Sequence, residues 1–105
     1  IVRTPPDAVI EAANYGLTLR REHKRGGTEV GVERAMRLSR GEKLSDRDIK
    51  VMNAWFARHL VDKRGKFWAH PTKPSAGYIA WHLWGGDAAY EWVKPLRERL
   101  KNFGI

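Results

Sequence analysis

The stretch Ser75-Ala76-Gly77-Tyr78-Ile79-Ala80-Trp81-His82-Leu83-Trp84-Gly85-Gly86-Asp87 decides the architecture. Ser75 can cap a helix by accepting a backbone N–H from its first turn, and Gly85-Gly86 breaks that helix. Between these signals the residues are apolar nearly all round. No face is left for water, so the segment predicts a short central helix with other helices packed around it.

Working outward, Asp87 is a candidate cap for a last helix carrying Tyr90, Trp92, Val93, Leu96, Leu100 and Phe103. That helix is expected to bend or split near Pro95, which removes a helical hydrogen bond. Upstream, Ser45-Asp46-Arg47-Asp48 reads as a capping box, and Ile49, Met52, Trp55, Phe56, His59 and Leu60 form a wide apolar stripe behind it. This third helix is expected to end near Arg64, ahead of a loop containing Gly65, Pro71 and Pro74. Thr28 caps a second helix with Val32, Ala35, Met36 and Leu38 on its inner side and Arg34, Arg37 and Arg40 on its outer side, stopping at Gly41. The first helix, opened by Thr4, runs to about Lys24 with Val9, Ala12, Ala13, Gly16 and Leu17 on one face and Leu19 off it. No segment alternates with the two-residue period of a strand, and no internal repeat is evident. The reading is all-α: one domain over residues 1–105, a compact bundle of about five helices around a short, buried, Trp-rich fourth helix.

Composition narrows the function classes. The chain has 105 residues with no cysteine, which excludes disulfides, thiolate zinc sites, iron–sulfur clusters and a cysteine nucleophile. Its apolar runs fall short of a bilayer span and no signal peptide is evident, so a soluble protein is expected. Opening on Ile1, the chain reads as a processed product or a segment of a longer one. The formal net charge of +8 attracts polyanions, whether nucleic acid or an acidic protein surface.

That charge falls in three patches, around residues 20–25, 34–40 and 58–66. The candidate nucleic-acid contacts are therefore Arg20, Arg21, Lys24, Arg25, Arg34, Arg37, Arg40, Arg58, Lys63, Arg64 and Lys66, with Trp68 as a stacking residue, because cations bind phosphates and a neighbouring aromatic can stack on a base. The other tryptophans, Trp55, Trp81, Trp84 and Trp92, read as packing residues. Of the histidines, His23, His59, His70 and His82, no two are four residues apart as a helical zinc pair would require, and neither a metal nor another cofactor is expected. No nucleophile elbow, phosphate loop or dinucleotide fingerprint is present. His59 and Asp62, three apart, can meet on one helical face as an acid–base pair.

Several of these residues also carry a resemblance. Gly26-Gly27-Thr28-x-Val30-Gly31-Val32-x-Arg34-Ala35, Leu44-Ser45, Trp55-Phe56-Ala57-Arg58-His59 with Asp62-Lys63, and the block from Pro74-Ser75 through Ile79-Ala80-Trp81-x-Leu83-Trp84-Gly85-Gly86-Asp87-Ala88 resemble a small module of bacteriophage proteins. That module occurs alone or attached to prohead-protease and head-morphogenesis chains, and has no settled catalytic role. The resemblance implies a viral or prophage origin, and its shared positions are mostly caps, glycine stops and packing aromatics. The loop His70-Pro71-Thr72-Lys73 departs from the pattern, being basic where the family tends to be acidic. Three functions are thus expected in descending order: a non-enzymatic module binding nucleic acid, with DNA preferred; an assembly module docking on an acidic virion protein; and a phosphodiester hydrolase using His59 and Asp62.

Overall fold

The computed structural model describes residues 2–104, which form α1 (Asp7–His23), α2 (Glu29–Ser39), α3 (Asp46–His59), a 3-10 segment (Leu60–Arg64), α4 (Ala76–Leu83) and α5 (Gly86–Asn102). The all-α bundle expected from periodicity is what the chain adopts, with no strand among the described residues. α4 packs against every other one of these elements. Ile79, Trp81 and Leu83 within it are at most 1% exposed, whereas Ala76 is exposed and Gly77, Tyr78, Ala80 and His82 are half-buried, so the helix is central but keeps one face toward solvent.

Local chemistry explains most helix ends. Ser45 accepts the Asp48 N–H while the Asp48 carboxylate accepts the Ser45 N–H, closing the capping box on α3. Thr28 and Ser75 accept from Gly31 and Tyr78 and so start α2 and α4. Thr4, in contrast, caps nothing: α1 starts at Asp7 after Pro6, without a side-chain cap. α5 starts at Gly86 behind Gly85, whose φ of +109° suits glycine alone, so Asp87 lies in the first turn instead of at the cap. Pro95 does not split α5, which runs continuously to Asn102. The carbonyl that Pro95 leaves without a helical donor belongs to Glu91, and both residues are on the exposed side.

Three side chains face the other way from expectation. Leu19 is buried because the inner face of α1 runs Val9, Ala13, Gly16, Leu19. On α2 the inner face is Gly31, Arg34, Ala35 and Leu38, the i, i+3, i+4, i+7 set, so Arg34 is buried and Met36 is 46% exposed. α3 stops at His59, and the chain tightens into the 3-10 segment before reaching Arg64.

Glycine matters most where α1 crosses α4. A Cβ on Gly16 would sit 2.5 Å from the Leu83 backbone nitrogen, so only glycine lets the two helices touch backbone to backbone.

Candidate functional site

The twelve candidate contacts divide into two groups once folded. On α2, Arg34 is buried, Arg37 half-buried and Arg40 exposed, and all three meet carboxylates. Arg34 Nη1 lies 2.9 Å from Asp48 Oδ1, and Arg37 donates to both oxygens of the same carboxylate at 3.3 and 3.0 Å. Arg34 also lies over Trp84, 5.5 Å from the ring centre. Arg40 donates to Glu42. The row was expected to face a phosphate backbone; its charges are instead met by carboxylates, because the α2 inner face includes position 34 and the α3 capping aspartate lies beside it.

Lys63 is likewise engaged, 2.6 Å from Asp87 and over the Trp81 ring at 4.9 Å. Trp68 is half-buried and packs on the core in T-shaped contacts with Tyr78 and Trp81. Arg20 donates to the Gly26 carbonyl and ties down the loop after α1. Arg21, Lys24, Arg25, Arg58, Arg64 and Lys66 remain exposed, with no carboxylate within ion-pair distance among the described residues.

Some of these free cations meet at a groove over the first turn of α4. Its outer hollow, about 250 Å³, is lined by Arg25, Gly65, Lys66, Phe67, Lys73 and Ser75. A middle hollow of about 310 Å³ shares Gly65 and Ser75 with it and adds Val61, Asp62 and Gly77. An inner hollow of about 320 Å³ shares Asp62 and Gly77 with the middle one and is walled by Thr28, Trp55, His59 and Trp84. The three hollows adjoin along these shared residues and are treated together as a groove. Lys73 and Phe67 belong to this site although spacing alone did not select them. The signals that could have found them were the basic loop 70–73 and an aromatic directly following Lys66.

The loop that carries these residues is tightly held. Phe67 O accepts from both His70 N and Ser75 N at 3.0 Å, and His70 Nδ1 accepts from Thr72 N and Lys73 N at 3.2 and 3.0 Å. Arg25 Nη2 donates to Pro74 O at 2.8 Å, joining the post-α1 loop to the same rim. Phe67 stays 45% exposed, with the Lys66 ammonium 5.7 Å from its ring centre. The N–H groups of the first α4 turn have no intrahelical acceptor, apart from the Tyr78 N–H that Ser75 takes.

At the inner end, His59 Nδ1 and Asp62 Oδ2 are 3.1 Å apart. The His59 ring stacks on Trp55 at 4.2 Å, and Trp55 stacks on Trp84 at 4.8 Å, so an aromatic column running to Arg34 fixes the imidazole. Asp62 lies against α4 because Gly77 has no side chain: a Cβ there would be 2.9 Å from the Asp62 Cβ. Among the described residues no three His, Asp or Glu side chains gather to hold a metal ion.

Elsewhere in the bundle, hydrogen-bonded networks fix charge states. Burial pushes the Asp48 carboxyl up, but the Arg37 hydrogen bond, the Ser45 N–H and Arg34 outweigh it and hold the group well below the usual carboxylate range. Asp87 is shifted the same way: burial opposes, while hydrogen bonds from Lys63 and the Trp81 indole prevail. Burial lowers the His82 imidazole, whose Nδ1–H donates to the Tyr78 carbonyl at 2.9 Å. Burial and the Tyr15 hydroxyl 3.3 Å away push Tyr78 up to about 12.

No helix among the described residues is long and apolar enough to cross a membrane. No family model, curated protein or solved structure matches the chain.

Proposed function

We propose that the chain is a non-enzymatic nucleic-acid-binding module of phage origin that holds a single strand, DNA in preference, along the groove over α4. One observation carries this reading: Arg25 from the loop after α1 and Lys66 and Lys73 from the loop before α4 converge on one hollow around an exposed Phe67. Three cations that repel one another, held together with no carboxylate in their hollow, are complementary to phosphate. An aromatic face among them suits an unpaired base, which stacks without regard to its identity. Hollows of a few hundred cubic ångströms match the size of a single nucleotide, which suits an unpaired strand. The phage origin rests on the Gly26–Ala35, Trp55–Lys63 and Pro74–Ala88 blocks.

Fluorescence anisotropy with a labelled ten-nucleotide single strand, as DNA and as RNA, tests the proposal across about 50 to 200 mM salt. Affinity is expected to fall linearly on logarithmic axes with a slope of about −2 for three phosphates, and to fall less steeply for the combined Arg25→Ala, Lys66→Ala, Lys73→Ala variant. A salt-independent response overturns the reading.

Docking on an acidic virion protein is favoured by a different feature: Leu60 and Val61, 41% and 57% exposed, are an apolar rim beside the same groove. Co-sedimentation with virion proteins after nuclease treatment, lost on Val61→Asp, is the expected outcome of that alternative.

A further inference from the structure

The groove is basic at one end only. Its inner end holds a carboxylate, Asp62, in a chain with eight excess positive charges, and no Arg or Lys has been spent on it. Its neighbour Lys63 turns away to Asp87. Asp62 Oδ2 takes His59 Nδ1, and no described residue bonds Oδ1. A carboxylate offers about four acceptor sites, so both oxygens can still accept from a ligand while His59 keeps its bond. The carboxylate is oriented from two sides: His59 stacks on Trp55, and the Asp62 Cβ, Cγ and Oδ2 lie against Gly77.

A groove with cations at one end and a fixed, half-free acceptor at the other is complementary to a molecule that is anionic at one end and N–H-donating at the other. Resting on the single-strand reading above, we propose that the inner hollow is a base-selecting pocket for guanine, with Asp62 as its specificity residue. Guanine is the base that places a ring N–H and an exocyclic amine side by side on its Watson–Crick edge, a pair that one carboxylate accepts together. Thymine and uracil bring one ring N–H flanked by carbonyl oxygens, which a carboxylate repels. Adenine and cytosine bring an amine beside an acceptor nitrogen. The hollow, about 320 Å³, admits a purine. Thr28, which also lines the hollow, gives its hydroxyl oxygen to the Gly31 N–H and keeps its own O–H free to donate.

A cationic side chain of a protein partner would also satisfy Asp62. The outer hollow argues against it, since Arg25, Lys66 and Lys73 would repel such a segment.

The test uses the full chain and ten-nucleotide oligothymidines carrying one central guanine, hypoxanthine, adenine or cytosine. The guanine strand is expected to bind about ten-fold tighter than plain oligothymidine, the scale of one good bidentate contact. Hypoxanthine, which lacks the exocyclic amine, should lose most of that gain on the unmodified protein, so the test does not depend on any variant folding. Asp62→Asn should abolish the preference and bind plain oligothymidine at least as tightly as before, because it also removes a negative charge. Equal affinity for all strands, or a preference that survives Asp62→Asn, overturns the inference while leaving strand binding standing. Absence of binding to every strand refutes the underlying reading instead. An Arg-rich peptide that binds through Asp62 while guanine confers no advantage also overturns the inference.

Discussion

Two basic regions that look equivalent as sequence have opposite fates. The α2 row Arg34, Arg37, Arg40 is consumed by Asp48, Glu42 and the Trp84 face. Arg25, Lys66 and Lys73 gather in a hollow without any carboxylate wall. The difference teaches that a cation's meaning depends less on its density along the chain than on the nearest acceptor the fold supplies. On α2 the arginines join helices: Asp48, already half of the α3 capping box, also binds α2 through two guanidinium groups. At the groove Arg25 is held by a backbone carbonyl, Pro74 O, which fixes its position without cancelling its charge.

The sharpest way to break this comparison is Asp48→Ala. It leaves the buried Arg34 uncompensated and removes half of the α3 capping box, and is expected to cost about 3 to 5 kcal/mol in urea unfolding, the scale for removing one partner of a buried pair. Oligonucleotide affinity of the folded fraction should be unchanged or higher. A cost below about 1 kcal/mol would mean that the α2 row is not structural.

Acid probes the same site without mutation. The folded Asp48 carboxyl gives up its proton more readily than the unfolded one, whose ordinary value is about 3.9. The unfolded chain therefore binds more protons, so the stabilisation is present above about pH 4 and is lost as pH falls toward the lower folded value. His82 adds an earlier step of the same sign: burial lowers it from 6.5, so its contribution is complete above that value and fades below it. The urea midpoint measured from pH 7 to pH 3 should fall in this order, and His82→Phe should remove the upper step alone.

The groove side of the comparison predicts the reverse pattern. Lys66→Ala and Lys73→Ala should each change stability by no more than about 0.5 kcal/mol, since both side chains are at the surface, and Arg25→Ala by about 1 kcal/mol, since it also leaves Pro74 O without its donor. Together they should weaken strand binding by one to two orders of magnitude at low salt. A smaller effect is expected of Arg40→Ala: its exposed pair with Glu42 contributes about 0 to 1 kcal/mol, and binding should not respond.

How much of this was legible depends on range. The α3 and α4 caps, the central position of α4 and its breaking glycines were readable because capping bonds span three residues and burial repeats every three to four. Arg34 was misread for a specific reason: a helical face is inferred from apolar residues, and a charged residue in the middle of that face breaks the pattern that would have located it. The half-burial of Trp68 was not legible, because exposure of a loop aromatic depends on whether Tyr78 and Trp81 lie beneath it. The His59 and Asp62 pair was legible from its spacing, whereas the Trp55 and Trp84 stack that holds it was not.

By itself, the sequence determined that the chain is all-α, where its third and fourth helices begin, and that it carries eight excess positive charges, because each of these follows from residues a few positions apart or from a sum. Only the tertiary structure decided which charges are free. Asp48 reaches Arg37 across 11 residues, Asp87 reaches Lys63 across 24, and Pro74 holds Arg25 across 49. Neutralisation acts over a few ångströms of space, and chain distance gives no measure of it.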